Sequence, residues 1–112
     1  MLVIGARVSV LRRKHKVSMG AGSQPDLQHA IRTFGNFTEW LPMIVIALVV
    51  CEMVGAPALL IHLVGIALIV SRVAHVLGLN VERATTARTA GVLLTWASAA
   101  ATGGYLVYAA VI

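Results

Sequence analysis

The sequence predicts an all-α integral membrane protein, a four-helix transmembrane bundle whose first helix is short or truncated. Of the 112 residues, 59% are hydrophobic and only 12% are charged, and the mean hydropathy is +0.90. A soluble domain normally carries about 25% charged residues. Three of the apolar segments approach the length of about 20 residues that a helix needs to cross a bilayer. These observations place residues 1–112 in a single membrane domain.

The nine basic residues give the chain a net charge of +5 and are unevenly placed. None lies near the turn at Gly55, Ala56 and Pro57 or near the C-terminus. If successive helices alternate in direction, all nine lie on one side of the membrane, and the positive-inside rule makes that side cytoplasmic. A cytoplasmic flank explains the basic run at 12–16 more simply than a nucleic-acid interface does, so no nucleic-acid partner is predicted. The basic residues are Arg7, Arg12, Arg13, Lys14, Lys16, Arg32, Arg72, Arg83 and Arg88.

The first segment, residues 1–16, is predicted to be a partial first helix. Its apolar part is about half as long as a spanning helix requires. The basic run follows the apolar part instead of preceding it, so the segment is not a cleavable signal peptide. We expect the true start to lie upstream; otherwise the segment is a short interfacial helix.

The second helix is predicted over residues 24–54. Ser23 precedes Pro25 and Asp26, a pattern typical of a helix start. The first half of the helix is amphipathic and the second half is apolar, so the helix extends from the cytoplasm into the bilayer. Pro42 removes one backbone hydrogen bond inside it and favours a kink. A tight turn at 55–57 follows.

The third and fourth helices are predicted over residues 57–79 and 85–112, with a short polar loop from Asn80 to Thr86. In the fourth helix small residues recur every four positions, a spacing that lets helix backbones approach closely in lipid. We interpret this stripe as a packing surface, either within the bundle or between subunits. Its members are Gly91, Thr95, Ala99 and Gly103.

A polar face at the entrance of the second helix is the strongest functional signal. At about 100° per residue, Arg32, Asn36 and Glu39 lie within about 60° of one another. Ionisable groups at membrane depth usually face a protein interior or a wet cavity. The alternative from spacing alone is an interfacial helix whose charges pair with each other and with lipid headgroups. Further basic groups at the same membrane level favour a bound anionic or zwitterionic small molecule: Arg12, Arg13, Arg72, His75, Arg83 and Arg88.

The pattern Arg32-x3-Asn36-x2-Glu39-Trp40-x-Pro42, ahead of an apolar run, resembles the MAPEG family, the membrane-associated proteins of eicosanoid and glutathione metabolism. The likeness is greatest to the small bacterial members and covers nearly the whole chain. It extends to the basic end of the first segment, to Ser71-Arg72-x2-His75-x2-Gly78 and to the Arg88-to-Trp96 stretch.

The resemblance implies a homotrimer that binds glutathione between neighbouring subunits, at the cytoplasmic ends of the helices. By similarity, Arg32 and Asn36 hold the tripeptide, and Glu39 meets its ammonium group or orders the arginines. Arg72 contacts a second carboxylate. Arg88 is the best match for the catalytic arginine beside the thiol, with Arg12 as a weaker companion; a cation there lowers the thiol pKa.

Two further positions of the implied site depart from the family pattern. Trp40 and His75 stand where well-studied members commonly carry tyrosine. Tryptophan can stack or donate one hydrogen bond, but it has no titratable hydroxyl. Histidine can donate to a carboxylate or act as an acid or a base.

The resemblance implies a glutathione transferase or peroxidase in a bacterial inner membrane, acting on a lipophilic electrophile or hydroperoxide that enters from the bilayer. One alternative is a small proton-coupled multidrug transporter, which also has about four helices and uses a membrane carboxylate. Another is a non-catalytic MAPEG-like protein. No metal site is predicted, and the single Cys51 allows no internal disulfide.

Overall fold

A computed structural model of the chain describes residues 1–78 and 85–112. The described residues form four helices: α1 (Leu2–His15), α2 (Pro25–Met53), α3 (Ala58–Gly78) and α4 (Thr86–Val111). Helix α1 has 14 residues, whereas α2, α3 and α4 have 29, 21 and 26. This architecture confirms the predicted all-α bundle with a short first helix. The predicted loop residues 80–84, Arg83 among them, and the predicted last residue of the third helix, Leu79, lie outside the described residues.

Local sequence sets where α2 begins and ends. Gln24 occupies the N-cap position in an extended conformation, without a capping hydrogen bond from its side chain, and Pro25 occupies the first turn, where a missing N–H costs nothing. The carboxylate of Asp26 accepts a hydrogen bond from the N–H of Leu27 at 2.8 Å. Pro42 lies inside the helix, which continues to Met53. The following turn contains Gly55 with φ 81°, a left-handed conformation that favours glycine.

Four helix ends meet at one end of the bundle, which we call the basic end. The side chain of His15, at the end of α1, lies 2.8 Å from the carboxylate of Asp26 at the start of α2. Gly78, at the end of α3, is packed against the first turn of α4, where Thr85 caps the helix by accepting the N–H of Arg88. The alternation of helix direction that the charge pattern required is therefore present. The described cations at this end are Arg12, Arg13, Lys14, Lys16, Arg32, Arg72 and Arg88.

Away from the basic end the bundle is largely apolar both inside and outside, although Ser98 and Thr102 are buried within it. Ile44, Val64 and Leu68 form the buried core between the helices. Cys51 is fully buried, with its sulfur 3.6 Å from the backbone carbonyl oxygen of Thr102. Many large apolar side chains point outward, as expected where lipid replaces water. Among the described residues, α2, α3 and α4 are long and apolar enough to cross a membrane.

Candidate functional site

A cavity of about 260 Å³ opens at the basic end, where α2, α3 and α4 converge. We call it the polar cavity. It brings together five of the eight side chains that the sequence singled out, from three helices. The residues that line it are Ile31, Arg32, Gly35, Asn36, Glu39, His75 and Arg88.

Helix α2 supplies one wall through a single face. Arg32 and Glu39 are exposed, and Asn36 between them is half-buried. Gly35 adds no side chain to this wall. A Cβ added there would contact only the Glu39 carboxylate, at 3.8 Å. The ion pair found within the described residues joins His15 and Asp26, so Arg32 and Glu39 are not paired with each other. Both charges are therefore available to a bound molecule.

His75 forms the floor of the cavity from α3. Its side chain is only 3% exposed, and its Nδ1 atom has no hydrogen-bond partner among the described residues. A buried polar atom without a partner costs about 1–3 kcal/mol. A ligand or water that supplies this partner therefore stabilises the site.

Arg88 completes the cavity from the first turn of α4. Its backbone N–H donates to the side-chain oxygen of Thr85 at 3.3 Å, which fixes the residue at the helix start. Its side chain is half-buried. Arg88 and Arg32 thus approach the cavity from different helices, and Glu39 is the carboxylate that lines it. Such an arrangement suits a molecule with more negative than positive charge.

Arg72 lies behind the cavity wall instead of in its lining. Its guanidinium group is buried and donates to the side-chain oxygen of Asn36 at 2.7 Å. It also donates to the hydroxyl oxygens of Ser71 and Thr95. Arg72 therefore bonds to residues of α2, α3 and α4.

Arg12 and Trp40 also lie outside the polar cavity. The Arg12 guanidinium donates to the backbone carbonyls of Ser18 and Gly20 at 3.1 and 3.0 Å, which ties down the connection between α1 and α2. Trp40 is 37% exposed and lines a second cavity of about 480 Å³, which Glu39 also lines. We call this second cavity the α2–α4 groove. Its lining residues are Glu39, Trp40, Met43, Ile44, Ala47, Ala99, Thr102 and Gly103.

Sequence reasoning missed Gly35 as a lining residue and Thr95 as a partner of Arg72. The position of Gly35 between Arg32 and Asn36 could have indicated a cavity, because a glycine leaves space beside its polar neighbours. Thr95 belongs to the small-residue stripe, which indicated close packing but gave no polar partner. The described residues contain no group of three or more His, Cys, Asp or Glu side chains that could hold a metal ion.

Comparison with known proteins agrees with this architecture. A model of the MAPEG family matches residues 1–108. The inner membrane protein YecN of Escherichia coli K12 is 35% identical over 86 residues, which cover 77% of this chain and 65% of YecN. YecN of Escherichia coli O6:H1 matches equally. The aligned part thus spans just under two thirds of these relatives, and no solved structure matches.

The family match, the inner-membrane relatives and the three candidate spans together place the protein in the bacterial inner membrane. By the positive-inside rule, its basic end is expected to face the cytoplasm. The chain belongs to the MAPEG family.

Proposed function

We propose that the protein binds glutathione in the polar cavity and acts as a glutathione transferase or peroxidase. One observation carries the proposal: the cavity combines two arginines and one carboxylate that are not paired with each other. The orphaned Nδ1 of His75 adds a polar atom that needs a partner. Family membership supports the same ligand class.

The charges of the cavity match those of glutathione. The tripeptide carries two carboxylates and one ammonium group. Guanidinium groups bind carboxylates in two-pronged, charge-assisted hydrogen bonds, which are stronger than neutral ones. In the proposed complex Arg32 and Arg88 meet the carboxylates or the thiolate, and Glu39 meets the ammonium group. Asn36 and His75 supply the remaining hydrogen bonds.

In the proposed reaction Arg88 stabilises the thiolate. A cation beside a thiol lowers its pKa and increases the fraction of nucleophile at neutral pH. At an electrophilic carbon the sulfur forms a thioether as the leaving group departs with the electron pair of its bond to that carbon. At a hydroperoxide the sulfur takes the terminal oxygen, the O–O bond breaks and an alcohol leaves; a second glutathione then converts the sulfenic acid to glutathione disulfide and water. Arg12 does not line this chain's cavity, so we assign the role to Arg88.

The proposed second substrate is lipophilic and occupies the α2–α4 groove. The groove is lined largely by apolar side chains and shares Glu39 with the polar cavity. In this proposal a molecule that enters from the acyl chains binds next to the glutathione site, with Glu39 between the two. Trp40, which lines the groove and is partly exposed, offers a ring face for stacking.

We further propose that the working unit is a homotrimer. The polar cavity of a single chain is smaller than the range of about 300–1,000 Å³ that is usual for ligand pockets. A neighbouring subunit would complete its open side. Crosslinking in native membranes and the mass of the solubilised protein test the assembly directly.

Isothermal titration of the detergent-solubilised protein with glutathione tests the proposed site. Replacing Arg32 with alanine removes a charge-assisted contact worth about 1.5–3 kcal/mol, so we expect affinity to fall at least tenfold. Arg13→Ala is the matched control, because Arg13 is exposed at the same end and does not line the cavity. Equal binding by wild type and Arg32→Ala would remove the site assignment.

Two further assays separate the proposal from its alternatives. Conjugation of a lipophilic electrophile, measured with wild type and Arg88→Ala, distinguishes an enzyme from a family member that binds glutathione without turnover. Proton-coupled efflux from vesicles, stopped by Glu39→Gln, would instead indicate a transporter. The position of Glu39 in a cavity with two arginines favours ligand binding, since a proton-exchanging carboxylate is expected to be isolated in an apolar helix.

A further inference from the structure

The buried guanidinium group of Arg72 is surrounded by neutral partners. It lies 5.5 Å from the centre of the Phe37 ring and donates to oxygens of Asn36, Ser71 and Thr95. Among the described residues no carboxylate lies within ion-pairing distance of it. Burying a charge without an ionic partner is costly, so the folded state depends on these hydrogen bonds to offset that cost.

These bonds determine which end of the Asn36 amide faces the polar cavity. Arginine has only donors, so the amide atom at 2.7 Å from its Nη1 must be the oxygen. The same Nη1 lies 3.5 Å from the backbone carbonyl oxygen of Asn36. The amide NH₂ group is therefore directed away from Arg72, while the Asn36 side chain lines the cavity.

We propose that Arg72 is a positioning residue: it holds the Asn36 amide so that its N–H donors point into the polar cavity. The ligand group beside Asn36 is then an acceptor, a carboxylate or a peptide carbonyl oxygen. This inference rests on the proposed glutathione site and gives Arg72 a role different from direct contact with a carboxylate. It also defines specificity, since the Asn36 side-chain oxygen is bonded to Arg72 and is not directed toward an ammonium group in the cavity.

A double-mutant cycle on glutathione affinity distinguishes positioning from contact. Arg72→Gln frees the Asn36 amide, and ordering one side chain on binding should weaken affinity about three- to tenfold. In the Asn36→Ala background there is no amide to order, so Arg72→Gln should change affinity less than twofold. An equal loss in both backgrounds would overturn the proposal, because a direct contact or a long-range charge effect acts without Asn36.

A second arm of the experiment compares variants of Asn36 and remains informative if Arg72→Gln does not fold. Its unfolding measurements need no ligand. Asn36→Asp keeps an oxygen for Arg72 but loses the N–H donors, whereas Asn36→Ala loses both. We expect Asn36→Asp to unfold at or above the wild-type midpoint and to lose at least tenfold in glutathione affinity. Asn36→Ala should unfold at a lower midpoint.

The two arms also separate this inference from the proposed function. If wild type takes up no glutathione, the proposed function fails, and the unfolding midpoints still test the bond between Arg72 and Asn36. Equal destabilisation by Asn36→Asp and Asn36→Ala would overturn the inference, whatever the ligand. Retained glutathione affinity in Asn36→Asp would overturn it as well, because the N–H donors would then be dispensable.

Discussion

Helices α3 and α4 approach each other closely at Gly91, and this contact supplies a quantitative prediction. A Cβ added at Gly91 would lie 2.7 Å from the backbone oxygen of Ser71 and 3.0 Å from the backbone nitrogen of His75. Both are helix backbone atoms, so neither can rotate away as a flexible side chain would. Gly91→Ala therefore forces α3 and α4 apart by several tenths of an ångström.

The expected loss of stability on Gly91→Ala follows from comparison with Gly104, a glycine on the same helix that has no close neighbour. Overpacking a close contact costs about 1–3 kcal/mol. Replacing glycine by alanine inside a helix stabilises the helix by about 0.5–1 kcal/mol, because alanine has the higher helix propensity. Gly104 is exposed, and a Cβ added there meets no described atom within 4 Å. The propensity gain is common to both substitutions, so their difference isolates the clash at about 1–3 kcal/mol.

The assay is unfolding of the detergent-solubilised variants by SDS, followed by far-UV circular dichroism. Gly91→Ala should unfold at lower SDS than Gly104→Ala, and it should also bind glutathione more weakly, because the shift of α3 displaces His75. Equal unfolding midpoints for the two variants would refute the packing argument.

Three smaller predictions concern single contacts. Thr85→Ala should cost about 1 kcal/mol of unfolding free energy, because it removes the helix cap, and Thr85→Ser should retain that stability. A double-mutant cycle on His15 and Asp26 should give only a small coupling, because both side chains are partly exposed to solvent; a coupling as large as that of a buried ion pair would contradict this. Cys51 is fully buried and should resist a membrane-permeant maleimide until SDS unfolds the protein; rapid labelling of the native form would contradict the packing against α4.

Within α2, the sequence alone was sufficient to group the polar residues. Arg32, Asn36 and Glu39 share a face because helical rotation is a local property, and all three line the polar cavity. The charge pattern likewise predicted that the cations gather at one end, since a spanning helix must carry its charges outside the hydrocarbon. The membrane class and the four helices follow from the same local rules.

The position of Arg72 could not be predicted from helical periodicity alone. Its spacing from His75 puts the two side chains one turn apart on α3, yet His75 lines the cavity and Arg72 bonds to Asn36 and Thr95 behind it. The choice depends on how α3 is rotated against α2 and α4. That rotation is set by side chains on other helices, which α3 alone does not specify.

The glycines of α4 illustrate the same division. Gly91 and Gly103 belong to one four-residue repeat, which by itself determined that this helix has a face suited to close packing. The tertiary structure decided that Gly91 is buried against α3, whereas Gly103 is exposed and lines the α2–α4 groove. A repeat is a property of one helix, but burial requires a neighbour, and the packing of the bundle determines where that neighbour lies.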